Sequence, residues 1–218
     1  MYKVFQQTDT EKILEMIEHR IKQYGLSKEN EKGFLEFRKF YNKNPNPIDL
    51  YTLTCYSFNY QFRFNNNLEY NNPFGRNRSH FSENMKNNLL VFLEHIKAND
   101  ISFVSENFEQ FDLSKLTNHD MVYCDPPYLI TTGSYNDGNR GFKDWKETQE
   151  IALYDLLDKL NHQGVSFALS NVLTHKGVRN EILNNWSKKY AVHYLNNDYS
   201  NSCYNSLKGE SEEVLITN

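Results

Sequence analysis

The run Met121-Val122-Tyr123-Cys124-Asp125-Pro126-Pro127-Tyr128 limits the fold of this chain more than any other stretch. Met121, Val122 and Tyr123 are apolar and favour extended backbone, so they read as a buried strand of a parallel sheet. Pro126 and Pro127 lack the backbone donors that a continuing ladder needs, so the strand must stop there. Asp125 is thereby left at the carboxyl end of a strand, which is where open α/β sheets keep their ligands.

The flanking sequence supplies the rest of such a sheet. A capped amphipathic helix is expected over Ser82 to Ala98, with Met85, Leu89, Phe92, Leu93 and Ile96 inward. A strand is expected over Ile101 to Asn107, and a helix from Lys146 to Asn161 that turns Ile151, Leu153, Leu157 and Leu160 to the core. Val165 to Val172 reads as a strand, Gly177 to Tyr190 as a helix, and Ala191 to Leu195 and Glu213 to Asn218 as final strands. Alternating strands and helices specify a parallel, α/β-wound sheet over residues 81–218.

Residues 1–80 follow a different rule and read as a helical lobe. Ile13, Ile17 and Ile21 repeat at four from Thr8 to Tyr24, with Asp9 or Thr10 as cap and Gly25 as stop. Ser27 is the expected cap of a second helix bearing Phe34, Phe37, Phe40 and Tyr41, closed by Pro45 and Pro47. A third apolar segment, Leu50 to Phe58, leads into an Asn-rich loop or hairpin.

At 218 residues with 39% hydrophobic content, the chain can build one large core plus a smaller lobe. No apolar run approaches the roughly 18 residues that span a bilayer, and the first residues lack a signal-peptide centre, so a soluble cytoplasmic protein is expected. Three cysteines, Cys55, Cys124 and Cys203, form no metal-binding pattern, and the seven histidines are scattered, so no metal is expected. A formal charge of -4 argues against holding nucleic acid by bulk electrostatics. The segment Ser57 to His80 nevertheless carries Arg63, Arg76 and Arg78 against Glu69 alone. Ser170 and His175 suggest a hydrolase, but no nucleophile-elbow pattern surrounds them. Asp155 and Asp158 read as a solvated helix face.

Asp-Pro-Pro-Tyr suits one chemistry well. An exocyclic amine loses its lone pair to its ring, and two acceptors on its hydrogens, the Asp125 carboxylate and the Pro126 carbonyl, would restore tetrahedral character. Pro127 stiffens that carbonyl, and Tyr128 can stack on the ring. The same residues also make a common type I turn after a strand.

Together with the residues that follow it, from Leu129 through Phe142 to Trp145, this motif resembles the catalytic half of amino-methylating DNA adenine methyltransferases of the Dam type. A second stretch, Phe58 to Arg76, resembles the DNA-reading segment of that class, and Asp198 to Asn218 is similar to its last segment. The resemblance implies an α/β fold, a partial Rossmann-like methyltransferase sheet with a helical DNA-recognition lobe, and S-adenosylmethionine as methyl donor. It implies that Asp125, Pro126, Pro127 and Tyr128 are catalytic and that double-stranded DNA with a flipped adenine is the partner. Phe58 and Asn59 would enter the duplex, Arg63 would read guanine, Pro73 would touch a base, and Arg76 and Arg78 would meet phosphates. Tyr60 and Leu68 stand where the class has glycine.

The class also carries a Phe-x-Gly-x-Gly cofactor loop near its amino terminus, which none of the nine glycines reproduces. At the cofactor's adenine, Asn107 and Phe108 stand where an acid and Phe are expected, with Asp125 at the other end. An amino-terminally truncated or split enzyme, completed by a second chain, is therefore expected. The alternative is a non-catalytic DNA-binding remnant.

Overall fold

A computed structural model describes residues 1–134, 145–195 and 211–218, with only the backbone of 132–134. The parts of the expected motifs that fall at 135–144 and 196–210 lie outside the described residues. The chain forms two compact units, which among the described residues are 1–105 and 106–218. No helix among the described residues is long and apolar enough to cross a membrane.

The first unit is helical: α1 (Tyr2–Gln7), α2 (Thr10–Tyr24), α3 (Glu31–Lys43), α4 (Pro47–Tyr56) and α5 (Glu83–Ala98). Asp9 caps α2 by accepting from Glu11 N at 2.9 Å and Lys12 N at 3.2 Å, and Gly25 closes it in the left-handed region at φ 56°. Asn30, and not Ser27, caps α3: its Oδ1 accepts from Gly33 N at 3.0 Å while its Nδ2 donates to the Gly25 carbonyl at 2.8 Å. Ser27 instead accepts from Glu29 N and Asn30 N in the turn before it. Gly33 is required at this corner, since a Cβ there would lie 2.1 Å from the Tyr24 carbonyl oxygen.

Pro47 begins α4 rather than merely ending α3, because a first helical position needs no donor. Buried Asp49 in α4 accepts from Arg20 Nε at 2.8 Å and Asn46 Nδ2 at 2.6 Å. Ser82 caps α5, which packs Leu89, Leu93 and Ile96 against Phe5, Ile13, Ile17 and Ile48.

Residues 101–105 do not form the expected strand. The Ile101 carbonyl accepts the Gln6 side-chain amide at 2.8 Å, and the Phe103 ring lies 5.2 Å from that of Tyr2. This segment therefore serves the helical core and makes no ladder.

The second unit contains β1 (Met121–Cys124), α6 (Glu147–His162), β2 (Ser166–His175), β3 (Val178–Arg179), α7 (Glu181–Trp186), β4 (Ala191–Leu195) and β5 (Ser211–Thr217). The sheet order is β1-β2-β5-β4. Only β1 and β2 run parallel; β5 inserts antiparallel between β2 and β4, so the sheet is mixed rather than parallel throughout. β1 is not buried on both faces as expected: Met121 is 65% and Tyr123 62% exposed, and among the described residues β1 pairs with β2 alone.

β2 is the central strand and almost continuously buried, as a two-faced strand must be. It runs on to His175, where Lys176 (φ 48°) and Gly177 (φ 77°) make a two-residue turn into β3. The helix expected from Gly177 therefore starts only at Glu181, capped by Asn180. In α6, Leu153, Tyr154, Leu157 and Leu160 face the core, while Ile151 is 47% exposed.

Candidate active site and DNA-reading hairpin

Cys124 pairs with Leu169, so the chain leaves the sheet at Asp125 beside the next β2 residue, Ser170. The Tyr128 hydroxyl donates to Asp125 Oδ1 at 3.1 Å and lies 3.1 Å from Ser170 Oγ. The Tyr128 carbonyl accepts from Thr131 N at 2.8 Å and Thr131 Oγ1 at 3.1 Å, at the start of a 3-10 turn over Leu129–Ser134. Both ends of Tyr128 are thus fixed. Burial pushes its phenol up to about 12, and the neighbouring Asp125 charge adds to this against the opposing bond to Ser170. At neutral pH Tyr128 is therefore a donor. Asp125 is exposed, and Pro126 and Pro127 are half-buried.

Ser170 was attractive only as half of a hydrolytic pair, and the structure gives it different work. Its partner is Tyr128, while His175 Nδ1 lies 2.6 Å from Ser211 Oγ. Burial raises the Cys124 thiol to about 11, which leaves it protonated and inert beside the motif.

Asn107 caps a 3-10 turn over Phe108–Gln110, accepting from Glu109 N at 3.3 Å and donating to Glu109 Oε2 at 3.1 Å. The Phe108 ring packs 5.7 Å from that of Trp145. Trp145 in turn donates to Glu150 at 2.7 Å, a fully buried carboxylate that also accepts from Tyr154, Asn171 and Asn180. Glu150 is the residue that the sequence motifs do not include; its signal is an acid on the apolar face of α6.

In the first unit, residues 57–74 form an irregular hairpin with bridges Ser57–Phe74 and Phe64–Tyr70. Tyr70, Asn72 and Phe74 are buried, Asn71 is half-buried with its side-chain oxygen turned inward, and Pro73 is exposed. Arg63, next to the buried Phe64, is exposed. Asn72 Nδ2 donates to the carbonyls of Phe58 at 3.0 Å and Gln61 at 2.8 Å, and Asn42 brackets Tyr70 through both its amide groups. The Asn-rich composition is thus a set of backbone struts.

Tyr60 (φ 53°) and Leu68 (φ 62°) both sit in the left-handed region, and so does Asn59 at φ 53°. The two places where glycine is absent are places where the backbone conformation favours glycine. Arg76 forms an ion pair with Glu31. Arg78 stacks over Phe58 with Cζ 5.3 Å from the ring centroid and donates to Asn59 Oδ1 at 3.2 Å. The structure so brings together Phe58, Asn59 and Arg78, and leaves Arg63 and Pro73 exposed.

At the end of β1 the structure thus sets a carboxylate beside a proline-fixed carbonyl and a tyrosine hydroxyl, on a mixed sheet. Residues 1–201 match the D12 class N6 adenine-specific DNA methyltransferases, and the chain belongs to that family. It is 63% identical over 97% of its length to the type II methyltransferase M.FokI of Planomicrobium okeanokoites, covering 33% of that protein. It is 56% identical over its whole length to the modification methylase StsI of Streptococcus sanguinis, covering 34% of it. To the DNA adenine methylase of Escherichia coli K12 it is 24% identical over 84% of its length, covering 63% of that enzyme. The chain therefore spans about a third of the first two relatives.

Proposed function

We propose that this chain supplies the methyl-transfer corner and the DNA-reading hairpin of an enzyme that methylates adenine N6 in a short duplex site, with S-adenosylmethionine as donor. The observation that carries the reading is the Asp125–Tyr128–Ser170 arrangement at the end of β1. The exposed Asp125 carboxylate and the Pro126 carbonyl accept the two N6 hydrogens of an extruded adenine, drawing the nitrogen lone pair out of the ring. Tyr128 holds the carboxylate through its hydroxyl and offers its ring edge or face to the base. Asp125 then takes up the proton released from N6, directly or through solvent, so no covalent enzyme intermediate forms.

S-adenosylmethionine, when bound, supplies the electrophilic methyl. Its adenine would lie against the Asn107–Phe108 turn, whose chemistry suits it: an amide for the ring edge and an aromatic face backed by Trp145. The surrounding sheet is read as part of a Rossmann-like methyltransferase fold. A base must leave the stack before its N6 can be reached, and the Phe58–Asn59 turn is the part of the hairpin proposed to fill the space it leaves.

The test is Asp125→Ala in the protein that carries this segment. Methylation of a radiolabelled duplex should vanish while specific DNA binding stays within a few-fold, because Asp125 polarises N6 and touches no phosphate. Near-normal methylation by this variant would sink the assignment.

A further inference from the structure

Arg78, whose charge suggests a phosphate contact, is engaged within the protein. Its guanidinium is spent inside the hairpin, on the face of the Phe58 ring and on Asn59 Oδ1, and its backbone carbonyl accepts from the Tyr60 hydroxyl at 3.3 Å. All three residues of the Phe58–Tyr60 turn are thus bound by one residue. Two of them, Asn59 and Tyr60, hold left-handed backbone at φ 53° without being glycine. Such a conformation persists only where the surroundings hold it. From the rest of the hairpin the turn has the Phe58 N–H bond to the Pro73 carbonyl at 2.8 Å, the Asn72 amide on the Phe58 carbonyl, and the Tyr60 N–H bond to the Ser57 carbonyl at 3.2 Å, all three to its backbone. None of them reaches the Asn59 or Tyr60 side chain.

We propose that Arg78 is a positioning residue: a clamp that holds the Phe58–Asn59–Tyr60 turn in the shape that enters the DNA duplex. Its effect on DNA rests on the reading of that turn as the element filling the space left by the extruded base. Three chemical properties are needed together, a planar cation for the ring, a directed donor for the amide oxygen, and a carbonyl placed for the phenol. Arginine meets the first two where lysine does not, since a lysine ammonium has no plane to stack and no fixed fork. The clamp also explains how tyrosine is tolerated at position 60: its Cβ makes the left-handed turn costly, and the phenol of the same side chain is one of the groups held.

Amide hydrogen exchange of the chain without DNA separates the clamp from any DNA contact. Arg78→Lys and Arg78→Ala should each speed exchange at Phe58 and Tyr60 by about fivefold or more, as local opening predicts, with α3 and α5 unchanged. In a Tyr60→Gly background the same changes should have a smaller effect, because glycine adopts the turn without help. On a duplex selected from a randomised pool, with 2-aminopurine at the methylated adenine, Arg78→Lys should lose most of the fluorescence rise of base extrusion and keep the salt dependence of binding. Unchanged exchange in both variants overturns the clamp. So does an Arg78→Lys protein that extrudes the base normally while Arg78→Ala lowers the salt slope by about one, the mark of a single phosphate contact. If exchange responds as stated but the wild-type protein extrudes no base, the clamp stands and the proposed DNA function falls.

Discussion

At the scale of single residues, the hairpin separates arginines that look alike in sequence. Arg63 and Pro73 are both exposed, and Arg76 forms an ion pair with Glu31, both of whose side chains are well exposed. On the proposed reading of Arg63 as a guanine contact, Arg63→Ala should cost about 1–3 kcal/mol of discrimination between cognate and scrambled duplexes, the usual worth of one bidentate base contact. Arg76→Ala should leave that discrimination intact and change stability by no more than about 1 kcal/mol, as exposed ion pairs do. Competition titrations at fixed salt check both, and equal loss on cognate and scrambled DNA by Arg63→Ala would assign it to the backbone. The end of β1 at Asp125 was legible because prolines state in sequence where a strand ends. The ties of Arg76 to Glu31 and of Tyr128 to Ser170 were not, since their partners stand 45 and 42 residues away and no local pattern announces them. Tyr60 and Leu68 lie between these cases: absent glycines located the strained turns without showing what holds them.

At the scale of elements, caps and stops could be read and pairings could not. Asp9, Gly25 and Ser82 act as their residue types suggest, because a cap is satisfied within one turn. Strand direction is set between distant segments, so β5 entering antiparallel escaped a pattern that alternation alone suggested. Segment 101–105 failed as a strand because its groups are taken by α1, a helix too short to show a period. Asp158, read as a solvated acid, accepts from Trp186 Nε1 at 2.9 Å, the Tyr190 hydroxyl at 2.6 Å and Lys189 Nζ at 2.5 Å. Glu150 joins more elements still: it ties α6 to β2 through Asn171, to the α7 cap through Asn180, and to the Phe108 wall through Trp145. It balances its charge with donors and a helix amino terminus, with no cation among its bonded partners. Glu150→Ala should cost about 3–5 kcal/mol, since it strands several buried donors at once and opens a cavity. Urea unfolding followed at far-UV wavelengths tests this, and a loss below about 1 kcal/mol would show that water replaces the carboxylate without difficulty.

For the whole molecule, the tyrosines set a limit at high pH. Burial raises the phenols of Tyr56 and Tyr128 to about 12, and those of Tyr51, Tyr70, Tyr154 and Tyr190 also upward. In the unfolded chain they ionise near 10, so above that pH the unfolded state loses protons that the folded state keeps. Their contribution is complete below pH 10 and is lost as pH rises towards 12; thermal melts should fall across that window, with a further step of phenolate absorbance, from the buried phenols, at the melt itself. A second consequence comes from β1. Its odd residues Met121 and Tyr123 present an apolar face to solvent, its even residues Val122 and Cys124 lean on the core, and among the described residues its outer edge has no partner. An apolar strand with a free edge and no charge along Met121–Cys124 is a template for another strand, and a second copy of the same edge is the most available one. The chain should therefore self-associate as its concentration rises, by edge pairing of β1. Tyr123→Lys places a charge on the exposed side without touching the core, so it should restore the monomer and leave the melting temperature nearly unchanged. Size exclusion with light scattering over a dilution series decides it: a mass that stays monomeric at every concentration rules the edge out, and association that persists in Tyr123→Lys places it on another surface.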